Sequence, residues 1–457
     1  MGILSKYGEQ YRATIALALP VVMTQVGQIL VQFADNVMVG RYGGEDALPL
    51  AAVSFGSGVF FLFFIAAIGI TFGLTPVIGE LYAQKRLKRS AELFQSGIQL
   101  YFTVGLATSL LLHLFTPALY ELGQPKEVVD MAIPYYRYLM LSMPFMMLFF
   151  SSKQFLEGVG NTKVQMVMTI ICNSLNILLN WIFIYGKFGF SDMGAEGAGL
   201  ATFISRAILP FAMFGYMLQN RKYKIYFSEF NLIRLRFGDH KRLLKIGIPI
   251  STQVFLESSA FVITAIMMGW FNTVAISANQ IVTTMTNTTF SILLSVGIAV
   301  TIRISHNFGL RNIEQIKLST ISSYHIAIAW SIISAAGLYL LRYPIARLFT
   351  SNAEVIELTA QMMPFVALFQ ISDCLQNVSV GILRGLQEVK IIMPIAFISY
   401  ILLNLPVGYL LGFTLGMGPS GLILGYLVGL SSAAIFMIIH IRKKIRGLEQ
   451  EFSSNSN

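Results

Sequence analysis

Residues 246–271 read IGIPISTQVFLESSAFVITAIMMGWF, and Glu257 is the only charged side chain in this run. A helix that crosses a hydrocarbon core about 30 Å thick needs about 20 mostly apolar residues. The run therefore predicts a transmembrane helix. A carboxylate inside the bilayer costs roughly 2.5–3.5 kcal/mol on insertion scales, and acids at such positions generally mark functional sites. Glu257 is the first candidate site residue.

Similar apolar runs continue along the whole chain. Of its 457 residues, 55% are hydrophobic and 12% are charged, and the mean hydropathy is +0.68. Soluble domains carry about 25% charged residues, so the composition indicates an all-α membrane protein. We predict twelve transmembrane helices, near 13–38, 50–76, 93–116, 135–156, 164–185, 196–218, 246–271, 275–301, 319–341, 358–383, 391–413 and 419–441.

The distribution of Lys and Arg predicts the orientation. If the N-terminus is cytoplasmic, most of the 32 basic residues fall in inner segments, whereas the outer segments contain only Arg41, Lys126, Arg137, Lys187, Arg342 and Arg347. Inner loops are enriched in Lys and Arg, so both termini are expected in the cytoplasm. The net charge of +10 is explained by this topology, and it requires no nucleic-acid partner.

The two halves of the chain resemble each other in sequence. Residues 74–79 (LTPVIG) align with residues 300–305 (VTIRIS). Further along, Gly158 aligns with Gly385, and Lys163 aligns with Lys390. Each half contains an even number of spans, so the copies have the same polarity and form two parallel six-helix repeats around a central cavity. We predict an N-lobe at 1–218, a basic cytoplasmic linker at 219–243, a C-lobe at 244–441 and a cytoplasmic tail at 442–457.

Polar side chains follow single helical faces inside several predicted spans. Asp373 is a second acid at mid-span, and Asp35 lies near Arg41, toward the outer end of span 1. Residues three or four apart share a helical face, which groups Gln25, Gln28, Gln32 and Asp35; Asn173, Asn176 and Asn180; Gln253 and Glu257; Gln280, Asn287 and Ser291; and Gln370, Asp373 and Asn377. We expect the Gln32, Gln280 and Asn287 side chains to line a substrate cavity.

Carboxylates among neutral oxygen atoms suit two kinds of coupling. Asn, Gln and Thr oxygens around an acid can hold a hard monovalent cation, and a carboxyl group in a low-dielectric interior can hold a proton instead. Either chemistry would couple movement of the protein to an ion gradient. These residues leave Na+ and H+ both open as the coupling ion, and no other cofactor and no structural metal is expected.

An ordered set of segments resembles the multidrug and toxic compound extrusion family, in its NorM-like branch. The resemblance rests on Pro20, on residues 35–40 (DNVMVG), on Asn176 to Asn180 with the following WIFIYGKFG at 181–189, on residues 197–202 (GAGLAT), and on the FLE and ISD segments that contain Glu257 and Asp373. It covers essentially all twelve spans.

This resemblance implies a carrier that expels small cationic drugs or dyes from the bacterial cytoplasm across the inner membrane, in exchange for Na+ or H+. In the family pattern, a C-lobe cation site matches Glu257 and Asp373, and we assign Phe369 and Asn377, which lie one turn before and one turn after Asp373, to the same site. An N-lobe site for a cation or proton matches Asp35, Asn176, Asn180 and Thr202. Sodium-coupled relatives have a tyrosine where this chain has Phe369, so the position lacks a hydroxyl group.

Three other functions are less consistent with the sequence. A flippase for lipid-linked saccharides shares the general architecture, but it would need bases to meet a pyrophosphate, and Arg206 is the base found within a span. A membrane-embedded enzyme would need catalytic motifs such as HExxH, which are absent. A channel would need ring-like repetition of the acids. We expect a transporter that works as a monomer among membrane lipids.

Overall fold

The computed structural model describes residues 3–43, 48–227, 231 and 234–454 as a chain of helices. They are α1 (Ile3–Gly43), α2 (Leu48–Thr71), α3 (Leu74–Ala83), α4 (Leu87–Phe115), α5 (Lys126–Gly158), α6 (Lys163–Ile184), α7 (Gly194–Gln219), α8 (Arg221–Lys224), α9 (Phe237–Gly269), α10 (Thr273–Gly309), α11 (Ile313–Leu340), α12 (Arg342–Phe349), α13 (Ala353–Gly385), α14 (Ile392–Ala396), α15 (Leu405–Tyr409) and α16 (Pro419–Ser454). Within the described residues, twelve helical segments are long and apolar enough to cross a membrane. Each overlaps one predicted span, so the predicted all-α membrane fold is confirmed.

Asparagine caps start several of these helices. The side chains of Asn272, Asn312 and Asn352 accept hydrogen bonds from the first free backbone N–H groups of α10, α11 and α13. Such caps satisfy donors that have no partner within the helix and stabilise it by about 1 kcal/mol. The long apolar runs therefore begin at defined residues of the connecting loops.

The chain divides into two compact units. The N-unit contains Pro20–Ser251, and the C-unit contains Met1–Leu19 and Thr252–Asn457. The boundaries fall inside α1, at a proline that removes one backbone donor from the helix, and inside α9. The lobe limits at 218 and 244 stay a prediction, and residues 228–230 and 232–233 of the predicted linker and 455–457 of the predicted tail lie outside the described residues.

The duplication is visible as the same contacts in each unit. In the N-unit, the Thr75 hydroxyl donates to the Gln154 carbonyl oxygen at 3.0 Å, and in the C-unit the Thr301 hydroxyl donates to that of Gly381 at 3.0 Å. A Cβ atom added at Gly158 would lie 3.0 Å from the Thr75 carbonyl oxygen, and one added at Gly385 would lie 3.0 Å from that of Thr301. The two predicted repeats therefore share their helix packing as well as their sequence pattern.

The first turns of α9 are held within the N-unit by charge and by close packing. Asp239 is buried and forms a bidentate ion pair with Arg89 of α4. Further along α9, a Cβ atom added at Gly69 of α2 would lie 2.5 Å from the Ser251 Cα atom, which means that the two backbones are almost in contact. This packing fixes the position of α9 up to Ser251 within the N-unit.

The first turns of α1 are held within the C-unit by an equivalent polar cluster. Arg303 of α10 donates to the Gln10 carbonyl oxygen at 2.9 Å and to the Thr14 hydroxyl at 2.6 Å. The Tyr11 hydroxyl and the His325 Nδ1 atom are 2.8 Å apart. Both helices that begin a repeat are therefore fixed by their N-terminal halves.

The eleventh membrane span departs from regular α geometry. It contains two π-helical stretches, Phe397–Asn404 and Leu410–Thr414, on either side of α15. A π turn advances the chain by about one extra residue, and such turns often occur at functional positions. The first stretch carries Tyr400, which is buried in the C-unit.

Candidate functional site

Glu257 lies at the end of a chain of hydrogen bonds in the C-unit. The Gln253 amide, one turn earlier on α9, donates to a carboxylate oxygen of Glu257 at 2.6 Å. The side-chain Oε1 atom of Gln253 accepts a hydrogen bond from the Arg384 guanidinium of α13 at 3.1 Å. The amide therefore stands between a base and an acid, and it orients the Glu257 carboxylate.

Asp373 is placed beside Glu257 from another helix. It is buried on α13, with Phe369 one turn before it and Asn377 one turn after it. The two carboxylates interact electrostatically, and Asp373 accepts no hydrogen bond from any described residue. Glu257 also interacts electrostatically with the Arg384 guanidinium, and two buried carboxylates that interact with each other are stable only when a positive charge or a proton neutralises them. The predicted acids are thus brought together.

Several buried oxygen atoms near these acids have no hydrogen-bond partner among the described residues. They are the Tyr400 hydroxyl, Gln376 Oε1 and Gln370 Oε1. Tyr400 lies close to Glu257 and to Gln376, although neither contact has the geometry of a hydrogen bond. Buried polar atoms are rarely left unpaired, and each exception calls for an explanation such as an ion.

The Tyr400 and Gln376 side chains were not predicted from the sequence. Gln376 lies three residues after Asp373, so helical spacing could have indicated it. Tyr400 lies in a π-helical stretch, where 3.6-residue spacing does not predict which residues face the acids. Its hydroxyl supplies a phenolic oxygen beside these acids, where Phe369 has none.

Phe369 and Asn377 have packing contacts in the C-unit. The Phe369 ring is 2% exposed and lies 6.0 Å from the Tyr426 ring, which in turn stacks on Phe261 at 4.6 Å. The Asn377 amide packs against Gly297 of α10. Both residues support the helix that carries Asp373, and their roles in cation binding stay a prediction.

In the N-unit, all four predicted residues lie in one hydrogen-bonded chain. The Asn180 amide donates to Asp35 Oδ1 at 2.5 Å and to Asn176 Oδ1 at 3.2 Å. The Asn176 amide donates to the Thr202 hydroxyl at 3.4 Å, which donates to the Ala198 carbonyl oxygen at 2.8 Å. Asn180 Oδ1 is buried and accepts no hydrogen bond from the described residues.

Arg206 lies one turn after Thr202 on α7. Its guanidinium donates to the Ser142 hydroxyl at 3.1 Å and lies 5.3 Å from the centre of the Phe60 ring. It interacts electrostatically with Asp35 and Tyr135. The Tyr135 hydroxyl is 2.9 Å from the Ser57 hydroxyl.

The three residues predicted to line a substrate cavity are exposed on their own units. Gln32 belongs to the N-unit, whereas Gln280 and Asn287 belong to the C-unit, two turns apart on α10. Their role stays a prediction.

Comparisons with known proteins agree on one family. A family model described as MatE matches residues 20–182 and 249–410. The Multidrug resistance protein NorM of Photobacterium profundum is 31% identical over 447 residues, which are 96% of this chain and 96% of that protein.

Solved structures share the fold of this chain. The eukaryotic MATE transporter AtDTX14 matches it with a TM-score of 0.85 at 20% identity, over 98% of this chain and 100% of that one. A MOP superfamily transporter from Pyrococcus furiosus, whose binding pocket is described as having reverse polarity, matches with a TM-score of 0.83 at 21% identity, over 98% of each chain. At such identities the structural likeness indicates the fold alone.

Proposed function

The chain belongs to the MATE family of membrane transporters, and we propose that it exports amphipathic cationic compounds in exchange for Na+ or H+ moving inward. As a member of this family it is a transporter and not an enzyme. The curated relative NorM is a multidrug resistance protein, which supports drugs and dyes as substrates. The acids of the two units are the proposed binding groups for the coupling ion.

The acid pair of the C-unit carries this proposal. Glu257 and Asp373 interact electrostatically, and no base among the described residues donates a hydrogen bond to Asp373. The buried Tyr400 hydroxyl and Gln376 Oε1 have no hydrogen-bond partner among the described residues. Carboxylate, amide and hydroxyl oxygens are the ligands that hard cations prefer. A cation bound here would satisfy the carboxylates and these oxygens at once.

The N-unit offers a second place for a coupling ion. Asp35 receives one strong hydrogen bond from Asn180, and Asn180 Oδ1 remains available beside it. A proton on Asp35 or a cation between Asp35 and Asn180 Oδ1 would complete this cluster. The proposed members of the site are Asp35, Asn176, Asn180 and Thr202.

Competition for negative charge would give the exchange. A carboxylate buried in a low-dielectric interior must be neutralised, and a lipophilic cation and a coupling ion both serve that purpose. Occupancy by one guest therefore favours release of the other, and alternating access exposes the acids to each side in turn. One-for-one exchange moves no net charge, whereas a second inward ion would add about 2.3 kcal/mol per 100 mV.

The flippase alternative has less support. A lipid-linked pyrophosphate would need several bases in the binding site, whereas Asp35, Glu257 and Asp373 are acidic.

We further propose that both termini are cytoplasmic and that the protein lies in a bacterial inner membrane. The substrate cavity is lined by Gln32, Gln280 and Asn287 in this proposal, and the monomer is the working form.

Transport in liposomes tests the proposed function. Purified protein would be reconstituted in vesicles containing tetraphenylphosphonium, with a Na+ gradient or a pH gradient imposed separately. We expect one of the two gradients to accelerate export, and we expect Glu257→Gln to abolish that acceleration. The matched control is Glu451→Gln, which removes an exposed acid near the end of α16. Full acceleration in Glu257→Gln would refute the assignment of the C-unit site, and no acceleration by either gradient in the wild type would refute ion exchange.

A further inference from the structure

A run of bases covers the turn between α3 and α4 and the start of α4 in the N-unit. Residues 85–89 read KRLKR, and we call them the basic turn. Lys85, Arg86 and Lys88 are exposed, and Leu87 between them is 37% exposed. A cavity of about 450 Å³ opens at this turn. Its lining consists of four bases, one leucine and one acid, namely Lys85, Arg86, Lys88, Arg89, Leu87 and Glu92. Binding sites for small molecules commonly measure about 300–1,000 Å³, so the turn has room for a small anionic group.

The acids beside the basic turn are already paired. Glu92, the one acid in the cavity lining, contacts Arg89 at 3.0 Å and Arg236 at 3.1 Å. Arg89 also forms the bidentate pair with Asp239. Among the described residues, no carboxylate oxygen lies within 4.0 Å of the first two bases of the turn. The turn therefore presents positive charge that the described part of this unit does not neutralise.

The equivalent turn of the C-unit carries no excess charge. In the alignment of the two repeats, residues 311–315 (RNIEQ) match the basic turn. Both turns begin with a base in the left-handed backbone conformation, at φ 57° for Lys85 and φ 54° for Arg311. The C-unit turn contains one base and one acid, whereas the basic turn contains four bases and no acid. Because each predicted repeat has an even number of spans, both turns are predicted on the same side of the membrane, and the enrichment of inner loops in bases does not explain the difference.

The bases of this turn also act against the start of α4. The first turn of a helix carries partial positive charge, so an acid stabilises it and a base does not. In the C-unit, Asn312 caps α11 and Glu314 lies in its first turn. In the N-unit, Arg86 and Lys88 occupy these two positions, and Arg86 forms no side-chain cap. Bases at these positions cost helix stability, which points to a role outside the helix.

We propose that the basic turn binds the headgroup of an anionic phospholipid: its two lysines and Arg86 contact the phosphate, and Leu87 contacts the adjoining acyl chain. The turn joins two helical segments that are long and apolar enough to cross a membrane, Leu48–Ala83 and Leu87–Glu121. Lipid headgroups lie at this depth, and bases beside a membrane span attract anionic lipids. An exposed leucine among bases suits a ligand that has both a phosphate and an acyl chain. The inference goes beyond the proposed transport activity and does not depend on it.

Binding of fluorescent lipids to the purified protein tests this assignment. Phosphatidylglycerol and phosphatidylcholine with the same nitrobenzoxadiazole-labelled acyl chain would be titrated in dodecyl maltoside and followed by fluorescence anisotropy. Each base near an anionic headgroup contributes about fivefold in affinity. We therefore expect the triple variant Lys85→Gln, Arg86→Gln, Lys88→Gln to raise the Kd of phosphatidylglycerol roughly 100-fold and to leave that of phosphatidylcholine unchanged.

Two further variants separate recognition from misfolding and from net charge. Arg86→Asn combined with Lys88→Glu gives the basic turn the capping residue and the acid of the C-unit turn. This double variant should keep or raise the melting temperature without lipid, and it should lose the preference for phosphatidylglycerol. The matched control Lys126→Gln, Arg137→Gln, Lys187→Gln removes three exposed bases elsewhere in the N-unit and should keep that preference.

Three results would overturn the inference. They are equal Kd values for the two lipids in the wild type, an unchanged ratio of the two Kd values in the double variant, and an equal loss in the matched control, which would mean a response to net charge alone. Inorganic phosphate distinguishes the source of the ligand. Displacement of labelled phosphatidylglycerol by an equal concentration of phosphate would indicate a site for a soluble anion and would contradict lipid binding, whereas retention of the lipid under excess phosphate supports it.

Discussion

The Tyr400 hydroxyl is the most informative single group in the C-unit site. It is buried, it has no hydrogen-bond partner among the described residues, and it lies close to Glu257 and Gln376. A buried polar atom without a partner costs about 1–3 kcal/mol. Such a cost is understandable if the hydroxyl contacts the coupling ion when the ion is bound.

The Tyr400→Phe variant should therefore change stability and ion affinity in opposite directions. Without the ion, removal of the unpaired hydroxyl leaves the protein equally stable or up to about 1–3 kcal/mol more stable. With the ion, the variant loses one contact to a charged group, worth about 1.5–3 kcal/mol, so the half-saturating concentration of the driving ion should rise roughly 10- to 150-fold.

Two measurements check this prediction. Thermal unfolding in detergent without Na+ would report stability, and ion-driven tetraphenylphosphonium export would be titrated with whichever ion drives the wild type. Tyr409→Phe is the matched control, because Tyr409 follows in the same span and is 50% exposed. A lower melting temperature with an unchanged ion titration would mean that Tyr400 is a packing residue that does not contact the ion.

Two predictions concern the packing of α9 within the N-unit. Gly69→Ala places a Cβ atom 2.5 Å from the Ser251 Cα atom and should lower the free energy of unfolding by about 1–3 kcal/mol. The control Gly58→Ala lies in the same helix, and its Cβ atom meets no atom within 4 Å. It should leave the free energy of unfolding unchanged or raise it by up to about 1 kcal/mol. Equal melting temperatures for the two variants would contradict the close helix contact. Asp239→Asn should cost about 1–3 kcal/mol, because it weakens the bidentate pair with Arg89, and an Arg89→Gln, Asp239→Asn double variant should lose less than the sum of its single variants. Strictly additive losses would show that the pair is not coupled.

The fold could be predicted largely because the membrane limits the choices. Only helices and closed barrels satisfy their backbone groups in lipid, so long apolar runs indicate helices even where their ends are uncertain. The duplication could also be recognised in the sequence, because the same helix contact is made once in each unit. Thr75 and Thr301 are separated by nearly the same number of residues as Gly158 and Gly385, and these residues form the two contacts.

The candidate sites were only partly predictable. Asp35, Glu257 and Asp373 stand out as acids in apolar runs, and the asparagines follow helical spacing. Partners on other helices are not visible in local spacing, so the contact between Gln253 and Arg384 was not predicted. Tyr400 was missed because a π turn changes the register of its helix, and Arg206 could be recognised as unusual without any indication that Ser142 orients it.

We propose above all the exchange of one positively charged ligand for another at the acids of this transporter. Its most direct test is the binding of tetraphenylphosphonium to purified protein at increasing concentrations of the driving ion. We expect the apparent Kd to rise in proportion to the ion concentration, and we expect Glu257→Gln or Asp35→Asn to reduce this dependence. An apparent Kd that does not change with the ion, with both guests bound at once, would contradict it.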